Sequence, residues 1–299
     1  MDDTLERFLA APSLHVDVAG TPMAYRRIGR GPDVVLVHGW PLAGTTYHGL
    51  VAALQDEFTC WVPDLPGAGG SPWRPEIRES FTGLASALTG FVDAVGLQRF
   101  ALVGHDSGGG IARVSAAELG SRVDALVLSN TEIPGHVAPL VLWLQRATRV
   151  PGAAWIFRRL LLRSNAFLRS RLGFAGAFAD VDAMLAGSFR RSCIEPLLRD
   201  PTGALEMLRR ADLGIAHRLP QIHQRIKAPL LCAWGDRDPF FPLPGAQQMV
   251  AQWPAPARLE VLPGLKLFLH EEAPQRLAAA ARPFLREHCG ARRPLAVPA

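Results

Sequence analysis

Six nearly continuous apolar runs recur along the 299-residue chain and constrain its fold more than any other feature. Their sequences are DVVLVHG, FTCWVPD, RFALVGH, VDALVLSN, APLLCAWGD and ARLEVLPG. Such runs, ending near glycine or a polar residue, are typical of strands buried on both faces of a parallel sheet. Segments with helical periodicity, such as YHGLVAALQ and FTGLASALTGFVDAVG, separate them. The alternation predicts an α/β fold with a mostly parallel sheet and helices on both faces.

The region between residues 131 and 225 interrupts this alternation, because it contains helix-like segments and no convincing strand. We interpret it as a helical lid inserted into a core formed by residues 1–130 and 226–290. Such a lid would cover the carboxyl edge of the sheet, where open α/β sheets bind ligands. The core begins with a predicted hairpin, LHVDV and MAYRRI around an AGTP turn. Residues 291–299, ARRPLAVPA, are predicted to form a disordered tail.

Composition argues against several other classes of protein. A chain of 299 residues with 48% apolar content can bury one large core. It has no run of about 18 uncharged apolar residues, so we predict no integral membrane segment. The N-terminal sequence MDDTLERFLA lacks the features of a secretory signal, and the four cysteines have neither CxxC nor metal spacing. We therefore expect a cytoplasmic protein with reduced thiols, no metal, no cofactor and no nucleic-acid partner, and we leave a homodimer open.

Positive charge is concentrated in the predicted lid. The formal net charge of the chain is +5, and the lid contains a series of closely spaced arginines: Arg146, Arg149, Arg158, Arg159, Arg163, Arg169 and Arg171. Apolar residues interleave with them in AAWIFRRLLLRSNAFLRSRLGF, which predicts an amphipathic helix with a basic outer face. We interpret that face as solvated, and contact with a membrane surface is the alternative.

The sequence Gly104-His105-Asp106-Ser107-Gly108 predicts a sharp turn between a strand and a helix. The glycines lie two positions on either side of Asp106, where larger side chains would collide across the turn. The central residue is held exposed at a helix N-terminus, which favours negative charge. Serine is usual there, but Ser107 lies one place too late, and His105 is too large for the position two before it. We therefore interpret Asp106 as the nucleophile, with helix capping as the alternative.

An aspartate at the centre of this turn favours a different reaction from a serine. A carboxylate is ionised at neutral pH and needs no base to act as a nucleophile. It can displace a leaving group from saturated carbon and form an alkyl ester, whose hydrolysis then requires a general base and an oxyanion hole. We expect the main-chain amides of Trp40 and Ser107 to form that hole. We place His38 and the Trp40 indole in the same substrate-binding region, with structural packing as the alternative.

Four motifs carry a resemblance to a known family. HGWP, DLPGAGGSP, GHDSGG and WGDRDPFFP occur in this order. They are similar to the branch of α/β hydrolases that contains haloalkane dehalogenases, fluoroacetate dehalogenase and epoxide hydrolases. The resemblance covers nearly the whole chain except the lid and the tail, and it implies an α/β-hydrolase fold. It gives Asp238 the role of orienting a catalytic histidine and leaves Asp236 structural. Glu132 is the alternative acid, because some haloalkane dehalogenases place it near there.

The catalytic histidine of that family is missing from its expected position. The resemblance places it in the loop after the last strand, where this chain has Leu267. Leucine cannot accept a proton, so ester hydrolysis lacks its usual base. His270, three residues later, is the candidate replacement, although a misplacement of about 1 Å can cost 100-fold in rate. A surface position is the alternative interpretation of His270.

The lid and the residues after Asp106 also differ from the family. Epoxide hydrolases usually use lid tyrosines, but the only tyrosines here, Tyr25 and Tyr47, lie outside the lid. Ser107 stands where haloalkane dehalogenases have tryptophan, and Ser107 and Gly110 stand where fluoroacetate dehalogenase has arginines. Lid histidines are candidate replacements for the tyrosines, and lid tryptophans are candidates for an apolar pocket wall: His136, His217, His223, Trp143 and Trp155.

These features predict a hydrolase in which Asp106 forms an ester with a small apolar epoxide or haloalkane, assisted by Asp238 and His270. The absence of the expected histidine motivates an alternative, a non-hydrolytic ligand-binding protein or a lyase or cyclase that uses Asp106 as an acid–base group. A third hypothesis is that Leu267 is an introduced substitution that traps the ester intermediate.

Overall fold

The computed structural model describes residues 3–289, apart from the side chains of residues 160 and 161. Its centre is an eight-stranded sheet in the order β1-β2-β4-β3-β5-β6-β7-β8. The strands are β1 (Leu14–Val18), β2 (Thr21–Gly29), β3 (Asp33–Val37), β4 (Thr59–Pro63), β5 (Phe100–His105), β6 (Val123–Ser129), β7 (Leu230–Gly235) and β8 (Ala257–Leu262). The β1–β2 and β2–β4 pairs are antiparallel, and all other neighbouring strands are parallel. The predicted hairpin and mostly parallel sheet are confirmed, whereas the predicted disordered tail lies outside the described residues.

Helices cover both faces of the sheet, as predicted. The helices outside the lid region are α1 (Asp3–Ala10), α2 (His48–Leu54), α3 (Ser80–Ala94) and α4 (Ser107–Leu119) before it, and α12 (Leu243–Ala251), α13 (Leu269–Glu272) and α14 (Pro274–His288) after it. Successive side chains of β3 point to opposite faces of the sheet, and each face has its own apolar cluster. Val34 and Leu36 belong to the first cluster, and Val35 and Val37 belong to the second. Helices α2 and α14 pack in the first cluster, and α3, α4 and α12 pack in the second.

Helices and turns fill the chain between β6 and β7, as the lid interpretation expects. They are α5 (Pro139–Ala147), α6 (Ala153–Ile156), α7 (Asn165–Leu168), α8 (Val181–Ala186), α9 (Glu195–Arg199), α10 (Thr202–Arg209) and α11 (Ile215–His223), with π-helical turns at Phe157–Leu161 and Arg190–Ile194. The prediction of one amphipathic helix through the arginine-rich stretch is wrong. The chain turns after residue 161, and Ser164 caps a new helix by accepting a hydrogen bond from the Phe167 amide at 3.1 Å.

Two chemical properties of the described chain bear on function. No helix within residues 3–289 is both long enough and apolar enough to cross a bilayer. The same residues contain no group of three or more histidine, cysteine, aspartate or glutamate side chains arranged to hold a metal ion.

Candidate active site

Asp106 lies at the junction between β5 and α4, in a backbone conformation that residues other than glycine rarely adopt. Its φ is +50° and its ψ is −137°. The flanking glycines permit this turn, because a Cβ on Gly104 would lie 2.7 Å from the Gly109 Cα, and one on Gly108 would lie 2.1 Å from the Val37 carbonyl oxygen. The capping alternative is wrong, because the Asp106 side chain makes no capping hydrogen bond to α4. The strained turn instead presents the carboxylate at the carboxyl edge of the sheet.

Two main-chain amides hold the Asp106 carboxylate. The Trp40 amide donates to Asp106 Oδ2 at 2.9 Å. The same amide lies 3.0 Å from Ser107 Oγ, and a hydrogen bond from the Ser107 amide to the Asp106 carboxylate lowers the pKa of Asp106. These are the two amides that sequence analysis assigned to an oxyanion hole. An ester formed through one carboxylate oxygen would leave the other oxygen facing these donors.

Electrostatics at Asp106 oppose its ionisation. Burial raises the pKa of Asp106 well above its usual range, and the nearby negative charges of Glu132 and, to a smaller extent, Asp238 raise it further. The amides of Ser107 and Trp40 act in the opposite direction. The nucleophile candidate therefore lies near two other carboxyl groups whose negative charges oppose its ionisation.

Glu132 is paired with a buried arginine that the sequence analysis missed. Arg113 Nη2 lies 3.4 Å from Glu132 Oε2, and Thr131 Oγ1 lies 2.7 Å from the same oxygen. The Arg113 side chain is fully buried and also donates to the Gly109 carbonyl at 3.0 Å. Burial raises the pKa of Glu132, and the charge of Arg113 counteracts that rise. The sequence contains one signal for this pair, which is an arginine six residues after Ser107 on the helix predicted to follow the turn.

Asp238 is buried and bonded to two neighbouring donors. Its Oδ2 accepts a hydrogen bond from Asn130 Nδ2 at 2.6 Å, and its Oδ1 accepts one from the Phe240 amide at 2.7 Å. Burial raises the pKa of Asp238 to about 6. No histidine is among its hydrogen-bond partners in residues 3–289. Asp236, in contrast, is exposed and accepts from the Gly264 amide at 2.7 Å, which fits the structural role expected for it.

A large apolar cavity reaches Asp106 from beneath the lid. Its volume is about 390 Å³. Leu267, only 6% exposed, lines this cavity together with Asp106, Trp40 and Phe268. The remaining lining residues are almost all apolar. The residue at the expected histidine position therefore shares a cavity with the nucleophile candidate and contributes only hydrocarbon to it.

A second, smaller cavity of about 80 Å³ also touches Asp106 and has a more polar wall. Glu132 and His136 line it together with Ser107. His136 Nε2 lies 2.9 Å from the Phe240 carbonyl oxygen. Because a carbonyl oxygen only accepts, this contact places the proton on Nε2 and leaves the lone pair of a neutral ring on Nδ1. Sequence analysis could not choose among the lid histidines, and His136 is the one that lines a cavity with Asp106.

The other two lid histidines lie elsewhere. His217 is exposed. His223 is buried, its Nε2 lies 3.4 Å from Arg113 Nη1, and its ring packs at a tilt against Trp253 with 4.6 Å between ring centroids. Burial and the charge of Arg113 lower the pKa of His223 to about 2. Neither side chain lines either of the two cavities described above.

The structure does not bring His270 to either cavity. Its Nε2 lies 2.7 Å from Thr46 Oγ1, and its ring centroid lies 4.1 Å from that of His105. Burial lowers the pKa of His270 well below its usual value. The surface interpretation is wrong, because His270 is 0% exposed. The base interpretation has no geometric support either, because α13 directs the ring toward Thr46 and His105 rather than toward the cavity.

Three further predictions require correction or refinement. His38 is structural, because its Nε2 accepts from the Leu65 amide at 3.0 Å and its Nδ1 lies 3.2 Å from the Gly39 carbonyl oxygen. The Trp40 indole lines both cavities, and its Nε1 donates to the Ala204 carbonyl at 2.7 Å, which ties the site to the lid. Trp143 lines the large cavity, but Trp155 lines neither cavity and is 60% exposed.

Comparison with known proteins gives the class to which this fold and site belong. A family model of the α/β hydrolase fold matches residues 32–274. Haloalkane dehalogenase 2 of Mycobacterium tuberculosis (strain ATCC 25618 / H37Rv) is 30% identical over 259 residues, which cover 84% of this chain and 87% of that protein. The chain therefore belongs to the α/β-hydrolase fold family, and it is a hydrolase of the haloalkane dehalogenase-like kind.

Solved structures agree with this assignment at the level of the fold. The epoxide hydrolase CorEH superposes with a TM-score of 0.75 at 18% identity, covering 92% of this chain and 99% of that one. A thermophilic esterase from Thermogutta terrifontis superposes with a TM-score of 0.73 at 24% identity, covering 93% of this chain and all of that one. Because proteins with different activities share the fold so closely, the particular reaction depends on the site.

Proposed function

We propose that this protein hydrolyses an apolar haloalkane or epoxide through an ester on Asp106. The observation that carries the proposal is the position of the Asp106 carboxylate, which is held by the Trp40 and Ser107 amides at the end of an apolar cavity. A carboxylate so placed can attack a carbon that bears a leaving group. An apolar cavity of about 390 Å³ suits a small hydrophobic substrate.

The first step needs only the ionised nucleophile. An Asp106 oxygen forms a bond to the electrophilic carbon as the carbon–halogen bond breaks, and the halide leaves with the bonding electrons. With an epoxide, a ring carbon–oxygen bond breaks instead, and the alkoxide takes up a proton. That proton comes from solvent water, because Thr131 and Arg113 engage the Glu132 carboxylate. This step does not depend on a residue at position 267.

The second step needs a base. Water attacks the ester carbonyl carbon of Asp106, and the developing oxyanion is stabilised by the Trp40 and Ser107 amides. The bond from that carbon to the alkyl oxygen then breaks, the product leaves as an alcohol with the proton taken from water, and the Asp106 carboxylate is restored. The attacking water must lose a proton, and Leu267 cannot take it. We assign that role to His136, because it lines the small cavity and its Nδ1 lone pair is free of the Phe240 contact. Glu132 is the weaker candidate, because Thr131 and Arg113 engage its carboxylate.

The test is an intact-mass time course with a panel of bromoalkanes and terminal epoxides. We expect the mass of one alkyl group to appear on Asp106, and we expect Asp106→Asn to reduce adduct formation and turnover by roughly 10⁴-fold, as loss of a central catalytic group does. Asp236→Asn is the matched control, because that aspartate is exposed and, within the described residues, hydrogen-bonds only the Gly264 amide. Turnover that survives Asp106→Asn unchanged would rule out the proposed nucleophile.

The second candidate function is ligand binding without hydrolysis, or lyase or cyclase chemistry with Asp106 as an acid. Leu267 in the cavity wall and the raised pKa of Asp106 favour it. The same experiment separates the two. Tight binding of an apolar ligand with neither adduct nor hydrolysis product would favour this second candidate.

A further inference from the structure

The mouth of the large cavity is surrounded by exposed apolar side chains. Four residues line the cavity and yet remain accessible to solvent: Trp143 at 54%, Val150 at 53%, Ile156 at 37% and Leu172 at 48% exposure. A side chain with both properties must lie where the cavity meets the surface. We call these four residues the cavity rim.

Exposed apolar residues are concentrated around this rim. Trp155, next to Ile156 in the chain, is 60% exposed, and Leu142, next to Trp143, is 36% exposed. Leu9 and Leu14 are the only other large apolar side chains exposed to this degree in the part of the chain that the structure describes. Single exposed apolar residues are common on proteins, but a contiguous group marks an interaction surface.

The chain segment that contributes the rim carries charge of one sign. Residues 133–179 contain seven arginines, no lysine, no aspartate and no glutamate, so this segment alone carries more positive charge than the net +5 of the whole chain. Six of these arginines are exposed: Arg146, Arg149, Arg159, Arg163, Arg169 and Arg171. Within the described residues, only Arg169 forms an ion pair, with Asp182. The other exposed arginines are free to meet negative charge on a partner.

We propose that this face of the lid docks on an anionic lipid surface, with the cavity rim seated at the boundary between headgroups and acyl chains. Tryptophan and aliphatic side chains favour that boundary, and the surrounding arginines favour anionic headgroups. Docking would place the cavity mouth against the bilayer. An apolar ligand dissolved in the membrane could then enter without crossing water.

The charge pattern argues against the other occupants of this face. A second copy docked by a two-fold axis would bring one group of unpaired arginines against an identical group, and no acidic residue of the segment could neutralise them. An acidic protein would match the charge, but it would not by itself account for a ring of apolar side chains around a cavity mouth. A lipid surface satisfies both features.

The proposal is tested with vesicles and needs no turnover, so its outcome is independent of the reaction assigned to Asp106. Sedimentation with vesicles of phosphatidylcholine, with and without phosphatidylglycerol, measures partitioning at low and high salt. We expect binding to the anionic vesicles that weakens as salt rises. Arg146→Gln/Arg149→Gln should weaken it by about fivefold for each arginine, and Trp155→Ala should weaken it at both salt concentrations.

Matched controls lie at the opposite edge of the sheet. Arg30 and Arg225 are exposed, form no ion pair within the described residues and precede the amino ends of β3 and β7. Arg30→Gln/Arg225→Gln should leave partitioning unchanged, as should Leu14→Ala, a change at an exposed apolar residue outside the lid. Equal binding to both vesicle types, or equal losses in the control variants, would overturn the proposal. So would the absence of vesicle binding together with dimer formation, or with saturable binding of an acidic protein through these arginines.

Discussion

The loops that follow β5 and β8 both end at the carboxyl edge of the sheet, but they differ in how much catalytic machinery they retain. The β5 loop has the strained aspartate, the flanking glycines and two amide donors to the carboxylate. The β8 loop places Leu267 in the cavity wall and directs His270 away from it. In the proposed mechanism, formation of the ester and its hydrolysis therefore depend on separate parts of the fold, so that a chain can keep the first without the second.

The two loops also differ in electrostatics. A histidine at position 267 would add a group able to carry positive charge among Asp106, Asp238 and Glu132. With leucine there, burial and the negative charges of Glu132 and Asp238 raise the pKa of Asp106 well above its usual range, and burial raises the pKa of Asp238 to about 6. The absence of a base from the β8 loop thus affects the β5 loop as well, because it leaves Asp106 less readily ionised.

The largest expected effect comes from returning a base to the β8 loop. Leu267→His should accelerate breakdown of the Asp106 ester by roughly 10²–10⁴-fold, the usual contribution of general base catalysis. Asp238 is buried near the end of β7 and is the residue expected to orient the new ring. Single-turnover decay of the alkylated enzyme, followed by mass spectrometry, measures the rate. Leu267→Phe is the control, since it adds a ring without a proton acceptor, and equal decay in the two variants would show that the difference between the loops is not the base.

The turn in the β5 loop could be predicted from the sequence because the residues that specify it are close together in the chain. Glycine at two positions, a strand before Asp106 and a helix after it specify the turn within five residues. The family resemblance, anchored on Phe268, Glu272 and Pro274, likewise predicts that Leu267 occupies the position of the missing histidine. What could not be predicted depends on the direction in which distant helices point. His270 faces Thr46 across 224 residues of chain, and His136 bonds Phe240 across 104.

The second prediction tests whether the lid supplies the missing base. His136→Phe keeps a ring at this position but removes Nδ1, and it should slow hydrolysis of the ester by roughly 10²-fold while leaving alkylation nearly unchanged. The adduct should therefore accumulate in this variant. His217→Phe is the matched control, because His217 is an exposed lid histidine that lines neither cavity. If the two variants release product equally fast, His136 is not the base.

The third prediction concerns the buried ion pair between Glu132 and Arg113, next to the β5 loop. Glu132→Gln would leave Arg113 fully buried without its charged partner, and unfolding free energy should fall by about 3–5 kcal/mol, as it does when one member of a buried pair is removed. Urea denaturation measures the loss. Glu132→Gln/Arg113→Met should recover most of it, because both charges are then absent. A single variant as stable as the parent would mean that the pair does not support α4 and the turn before it.

The mildest of these changes is a shift in the pH dependence of Asp106 alkylation. Alkylation requires ionised Asp106, so its rate should fall as the pH drops through the raised pKa of that group, at a higher pH than an ordinary carboxyl group would give. Removing the negative charge of Glu132 lowers the pKa of Asp106 and should extend alkylation to lower pH. The measurement uses Glu132→Gln, in which Arg113 keeps its charge, at a temperature where the variant remains folded. Adduct formation at several pH values, with Asp236→Asn as the control for loss of a distant carboxyl charge, measures the shift. An unchanged profile in Glu132→Gln would show that repulsion by Glu132 does not govern the pKa of Asp106.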